Sequence, residues 1–244
     1  MSVGGLDFPA VRPSDETATG LPLGEPVAWS AVAAPAGEVL CGERVLLRPF
    51  DPAADAEALH AATRDDPTIW AYLRIGPFED SADLRGVLEQ EAAAEGYVFY
   101  AIEPADAGRA LGQAAYMRID PPNGTIEIGS IFFAPGLRRT AAATEAIFLL
   151  ARHVFDDLGY RRLEWKCNAL NAGSRGAAER FGFRFEGIFR KDEVIKGRNR
   201  DTAWFSIVDD EWPPVRAAFE TWLDPSNFDA EGRQKRSLGA LMPA

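Results

Sequence analysis

Apolar and polar positions change their period several times along this chain, and each change marks an element. RVLLRPF, residues 44–50, alternates and predicts a strand. Asp51 then supplies an N-cap and Pro52 a first helical residue for DPAADAEALHAATRDD. A short aromatic stretch, TIWAYLRIGPF, separates this helix from a second, SADLRGVLEQEAAAEG, which Ser81 opens. GYVFYAIEP is a strand, and GRALGQAAYMRID with GTIEIGSIFF flanks the turn PPNG as a hairpin. The strongest helical period follows: Ala143, Ala146, Ile147, Leu150, Ala151, Val154, Phe155 and Leu158 recur at three- and four-residue steps, and Gly159 ends the run. RRLEWKC alternates as a strand, NAGSRGAAERFG is a short helix capped by Ser174, and FRFEGIFRKDEVI with TAWFSIV forms a last hairpin around KGRNRD.

The order is β-α-α-β-β-β-α-β-α-β-β, which predicts an α/β fold with a mixed, largely antiparallel central sheet. Residues 1–40 are rich in Pro, Gly and Ala without a sustained period, and are expected as an extended arm. Residues 224–244 are polar and expected as a loose tail. The domain is then 41–223.

Composition narrows the function classes. The 244 residues are 47% hydrophobic and 26% charged, enough to bury a core. A net charge of −11 repels nucleic acid, and serves solubility instead. Two cysteines, Cys41 and Cys167, make neither a disulfide framework nor a zinc set. His60 and His153 sit on predicted helices with no second ligand type at metal spacing, so no metal is expected. The first residues have neither a basic region nor an apolar core of the secretory kind, and no apolar run reaches membrane length. The expected location is cytoplasmic, with no membrane partner.

The candidate chemistry lies in SIFFAPGLRRTAAATEA, residues 130–146, where a strand turns into a helix. A helix N-terminus presents N–H groups without intrahelical partners and a partial positive charge, so it can receive a phosphate. Arg138, Arg139, Thr140, Ala141, Ala142, Ala143 and Thr144 keep those donors, add two cations and remove bulk. No Gly-Lys-Ser/Thr follows, and the preceding strand belongs to a hairpin, so neither a Walker loop nor a dinucleotide fingerprint is present. From the residues alone, an anion site and a plain small-residue helix start both stand.

Three blocks in order resemble one family. Arg138-Arg139-Thr140-Ala141-Ala142-Ala143, running into Thr144-Glu145-Ala146, is similar to an Arg/Gln-x-x-Gly-x-Gly/Ala loop; Asn171-Ala172-Gly173-Ser174 precedes Arg180-Phe181-Gly182-Phe183 and Glu186-Gly187; KGRNRDTAWFSI stands at the final hairpin. Over residues 41–212 the chain resembles the GNAT superfamily of acyl-CoA-dependent N-acyltransferases, in the branch of the ribosomal-protein alanine and serine acetyltransferases (RimJ/RimL-like). The resemblance implies helices on both sheet faces and a fourth strand splayed from the fifth. Ala141 stands where the family has glycine, and a left-handed backbone there would strain alanine.

The resemblance further implies direct transfer of an acyl group, acetyl by default, from acyl-CoA to a primary amine, which is a small molecule or a protein N-terminus. No nucleic acid is expected as partner; a homodimer is compatible. The loop 138–144 would hold the pyrophosphate of coenzyme A, the backbone of Ile131, Phe132 and Phe133 the pantetheine arm, and Asn171 would bond that arm. The family's tyrosine acid falls at Ala178, so Ser174 or a water near it would protonate the leaving thiolate. Alternation puts Glu127 on the face of Ile131 and Phe133, where an apolar cleft would raise its pKa and fit it as the base; Glu164 is the second candidate, and a solvated strand glutamate is the other reading. Trp70, Tyr72 and Arg74 stand where the family builds its acceptor wall. A non-catalytic acyl-CoA sensor on the same fold is the alternative.

Overall fold

A computed structural model describes residues 14–16 and 21–243, with backbone only for 14–16 and Pro22. The chain divides into two units, 1–31 and 32–244. In the first, β1 (Ser14–Glu16) pairs antiparallel with β2 (Pro22–Leu23). The expected extended arm falls partly on residues 1–13 and 17–20, which lie outside those described.

The second unit is built on an eight-stranded sheet: β3 (Leu40–Cys41), β4 (Val45–Pro49), β5 (Val98–Pro104), β6 (Gly112–Asp120), β7 (Thr125–Phe133), β8 (Arg162–Asn168), β9 (Arg184–Ile195) and β10 (Arg198–Val208). Their spatial order is β3-β4-β5-β6-β7-β8-β10-β9, antiparallel throughout except for β7 against β8. Since side chains alternate across a strand, Tyr100 and Ile102 of β5 enter one core while Ala101 enters another. The first core packs against α3 (Ala141–Arg152) and α5 (Trp212–Leu223); the second lies under α1 (Pro52–Thr63) and α2 (Ser81–Ala92). Helices thus cover both faces, as expected.

Several local readings need correction. Asp80, not Ser81, caps α2, its carboxylate accepting from the Ala82 and Asp83 N–H groups. Asn171, not Ser174, caps α4 (Ala172–Arg180). α5 has no counterpart in the predicted order; Pro213 and Pro214 stand in its first turn, where proline costs no hydrogen bond. The segment expected as a loose tail packs on the first core, where Leu238 is fully buried and Asn227 Nδ2 donates to the carbonyls of Trp222 and Arg236. Sheet pairing also starts one residue before the expected boundary, at Leu40 opposite Leu47.

Two irregularities position the site. In the β6–β7 ladder, Gly129 faces Ala115 and Phe132 faces Gln113, so β7 carries one extra residue, a bulge at Ser130 with φ +48°. A second extra residue in β6 sits at Arg118, φ +49°. With Arg139, φ +61°, these are three non-glycine residues in the left-handed region, and all three line one cleft. Backbone strain of this kind, about 1–3 kcal/mol each, gathers at functional sites.

Candidate active site

β7 and β8 run parallel for three residue pairs only: Thr125 with Arg162, Ile126 with Leu163, and Glu127 with Glu164. Beyond them β8 stays paired to β10 as far as Asn168, while the bulge carries β7 away. From Gly129 to Phe133 the edge of β7 facing β8 has no strand partner, and the fork opens into a cleft of about 1550 Å³. This is the expected splay of the family's fourth and fifth strands, here β7 and β8.

At one end of the cleft stands the N-terminus of α3. Thr140 caps it, its Oγ1 accepting from Ala143 N at 3.1 Å and donating to Leu137 O at 2.7 Å. The N–H groups of Arg139, Ala141 and Ala142 have no acceptor among the described residues. Ala141 begins the helix with ordinary backbone angles; the left-handed residue is Arg139, so the expected strain on alanine does not arise. Arg138 turns away from the loop to Asp66, at 2.7 Å, and its Nε donates to Phe133 O, which occupies that carbonyl. In its place Arg180, which sequence reasoning left out of the site, lies against the helix start and donates to Thr144 Oγ1 at 3.0 Å. Arg180 has no carboxylate partner among the described residues, and burial holds its guanidinium below the ordinary range. An anion here would gain two arginines without counter-ions, Arg139 and Arg180, and three free N–H donors.

Glu127 occupies the last paired position of the fork and is buried, 3% exposed. Lys166 Nζ lies 2.5 Å from its Oε2, and Arg118 Nε reaches within 3.7 Å of Glu127 and 3.6 Å of Glu164. Burial pushes the Glu127 carboxyl above the ordinary carboxylate range, against the opposing pull of Lys166. The bulge reverses the alternation beyond it: Glu127, Gly129 and Phe132 share a face, so Ile131 and Phe133 are not Glu127's facial neighbours as expected. Phe132 enters the core under α1 and α2, whereas Ile131 and Phe133 pack against the other core. Lys166 was missed, although it follows Glu164 by two residues on an alternating strand and so lies on the same face.

Across the fork, Asn171 Oδ1 accepts from Ser174 N at 3.0 Å. The Ser174 hydroxyl accepts from Trp165 Nε1 at 3.0 Å, and Trp165, Cys167 and Ser174 together line the cleft. Burial pushes the Cys167 thiol up, while a Ser174 hydrogen bond pulls it down. Ala178 is fully buried in the core, and no acid replaces the family's tyrosine there.

The expected acceptor wall divides. Trp70 is buried in the second core, its ring 5.0 Å from those of Phe78 and Phe132, so it belongs to the core and not to the wall. Tyr72 and Arg74 do line the cleft. The Tyr72 hydroxyl donates to Leu170 O at 3.3 Å, and Arg74 pairs with Glu193 of the β9–β10 hairpin. Lys196 at the hairpin tip donates to Trp70 O and Ile75 O, both at 2.8 Å, and so ties segment 67–75 over the cleft. Deeper in, Gln113 is buried and Glu91 half-buried. Among the described residues no cluster of His, Cys, Asp and Glu could hold a metal ion, and no helix is long and apolar enough to cross a membrane.

Comparison with known proteins agrees with this geometry. The family model described as the acetyltransferase (GNAT) domain matches residues 44–184. A crystal structure of a GCN5-related N-acetyltransferase from Brucella melitensis is 44% identical, covers 88% of this chain and 98% of its own, and superposes with a TM-score of 0.85. A protein from Bacillus licheniformis described as the uncharacterized N-acetyltransferase p20 is 29% identical over 180 residues, 72% of this chain and 98% of its own. Mycobacterium smegmatis RimJ, in a structure with CoA-disulfide, is 21% identical with a TM-score of 0.64, covers 76% of this chain and 94% of its own, and is a likeness of fold.

Proposed function

The chain belongs to the GNAT acetyltransferase family and is an acyl-CoA-dependent N-acetyltransferase; from that premise we propose that acetyl-CoA lies in the β7–β8 fork and that a primary amine, on a small molecule or a protein N-terminus, accepts the acyl group there. The observation that carries this reading is the early end of the parallel pairing after Glu127 and Glu164, which joins the unpaired edge of β7 to the free N–H groups of α3. A non-catalytic acyl-CoA sensor is not favoured, since the family match is to acetyltransferases.

The residues fit such a donor. Arg139, Arg180 and the N–H groups of Arg139, Ala141 and Ala142 would hold the pyrophosphate, with helix dipole and charge acting in one direction. The free edge of Gly129–Phe133 would hold the pantetheine arm, together with the side-chain amide of Asn171. What the donor supplies is an acyl thioester. The neutral amine nitrogen forms a bond to the thioester carbonyl carbon, the C–S bond breaks, and the nitrogen sheds its second proton to water as the amide forms. An alkyl amine arrives mostly protonated at neutral pH, with a pKa near about 10.4, so a group must take that proton. Glu127 takes it through water, its affinity raised by burial. Lys166 stays beside the carboxylate and limits the cost of burying it. Ser174, or a water on its hydroxyl, returns a proton to the thiolate; at a thiol pKa of about 8.5 that group also leaves acceptably without one.

Thiol release from acetyl-CoA against a panel of alkyl amines, amino acid amides and short peptides tests the reading. Release with at least one amine, with stoichiometric acetylated product by mass spectrometry, is expected. Tight binding of coenzyme A without release for any amine would return the protein to the sensor class.

A further inference from the structure

Between α2 and β6 two oxygen atoms are buried without partners, Oε2 of Glu91 and Oε1 of Gln113, and both side chains line the cleft. Gln113 is 1% exposed; its Nε2 donates to Ser130 O at the bulge, and its side chain also hydrogen-bonds the Glu91 carboxylate, leaving Oε1 of the one and Oε2 of the other unsatisfied. Only acceptors are left facing the space, so the ligand that satisfies them must be a donor. The helix end sharpens the demand. The last turn of α2 carries Glu89 and Glu91 and no base, although the C-terminus of a helix is its negative pole. Glu89 escapes into an ion pair with Arg85, at 2.7 Å; Glu91 has no cationic partner among the described residues, and burial pushes its carboxyl above the ordinary range against the opposing pull of the Gln113 hydrogen bond. A carboxylate at the negative pole of a helix, met only by one neutral hydrogen bond, is a local rule broken without a balancing charge, as at a binding site before its ligand arrives.

Position identifies which part of a ligand would bind. Glu127 faces Met117 in the β6–β7 ladder, and Gln113 stands four residues further along β6 on the same face. At the rise of a strand that separation is about 13 Å. Glu91 is therefore not a second base for the nitrogen served by Glu127, but a contact for another group of the same molecule. We propose that Glu91 and Gln113 form an acceptor subsite for a second cationic group, so that the favoured acceptors are amines carrying a further positive charge several bonds from the reacting nitrogen. The subsite rests on the acetyltransferase reading above for its reacting end alone. It also gives the cleft two poles: arginines without counter-ions at the α3 end, and an unpaired carboxylate at the α2 end.

Spermidine and octylamine, of similar length but different charge, are the probes. Calorimetric titration into the protein saturated with coenzyme A should show spermidine binding more tightly by about tenfold or more, the worth of a charge-assisted hydrogen bond. Glu91→Gln should abolish that preference by weakening spermidine alone, with octylamine and coenzyme A within about twofold of wild type by the same standard. Glu89→Gln, which removes the same charge from the same helix end outside the cleft, should keep the preference. The proposal is overturned if wild type does not prefer spermidine, if neither amine binds, or if Glu91→Gln retains the preference. If the preference holds while acetyl-CoA releases thiol with no amine of the panel above, the acetyltransferase reading falls and the subsite stands.

Discussion

Gly129 shows how closely the fork is filled: a Cβ there would lie 2.3 Å from Met117 Sδ and 3.1 Å from Glu127 Oε1. The carboxylate is thus fenced by glycine on its own strand, by methionine on the next, and by Lys166 across the fork. Glu127→Gln keeps this shape and removes the proton acceptor, so turnover should fall by about 10²–10⁴ with coenzyme A affinity unchanged. The sign of the pH effect follows from the upward shift. A carboxyl with raised pKa is still protonated somewhat above the ordinary carboxylate range, so wild-type activity falls as pH drops through that raised value, and the variant loses this acid limb. Steady-state rates over pH, with melting temperatures to show that Lys166 tolerates the loss of its partner, check this; an unchanged profile would place the base elsewhere. At this scale the sequence showed residue types better than directions. Glu127 was legible as a carboxylate on a strand bordering the cofactor loop, but its facial neighbours were misread because a bulge at Ser130 leaves no mark in the alternation of TIEIGSIFF. Trp70 was misplaced for a similar reason: the aromatic run 68–78 does not reveal which ring faces inward. Arg180, by contrast, stands in the block RFGF, but only tertiary packing of its helix brings it to α3.

Elements explain why the motif TAAATEA does more than bind. Glu145 follows the cap by five residues and is buried, its carboxylate accepting from Glu43 N at 3.1 Å and Arg44 N at 2.7 Å in the β3–β4 turn. Gly42 makes room for it, since a Cβ there would come within 2.6 Å of the carboxyl carbon. Glu145 therefore ties α3 to the first hairpin of the sheet, and belongs to the scaffold of the loop. Glu145→Ala leaves two part-buried N–H groups without their acceptor, and a lost hydrogen bond of this kind costs about 0.5–1.5 kcal/mol. Chemical denaturation should show a loss of that order, while calorimetry finds coenzyme A affinity within about twofold, given that the residue faces away from the N–H groups that would bind it. A large loss of affinity at unchanged stability would move Glu145 into the site. The long helix, both hairpins and the order of elements were legible because their apolar periods are sustained. α5 was not, although Trp212, Val215, Phe219 and Trp222 repeat at helical steps: Phe148 and Phe155 of the preceding helical run stack on its Trp212 and Phe219, a match visible only once the chain is folded.

Taken whole, the molecule is acidic, at −11, and yet gathers at one helix start arginines that have no counter-ion among the described residues. That concentration of positive potential against the general charge is the feature that most needs a ligand, and it lies where the fork meets α3. The C-terminal residues add to the same neighbourhood, since Trp222, Phe228 and Gln234 line the cleft near Arg180, whose guanidinium lies 5.3 Å from the Trp222 ring. Polar composition made 224–244 read as loose; its anchors, Leu238 and Asn227, are single residues that no window average detects. If the N-terminus of α3 holds the pyrophosphate of coenzyme A, Ala141→Asp tests it directly, since Ala141 is half-buried and lines the cleft. An acid at this first, half-buried helical position is favourable to the helix itself, so the fold should stay intact. Beside a pyrophosphate the same carboxylate is repelled by about 1–4 kcal/mol, depending on screening. Titration calorimetry of coenzyme A into this variant should show affinity reduced by about tenfold or more at an unchanged melting temperature, whereas wild-type affinity would contradict the account and place the cofactor elsewhere.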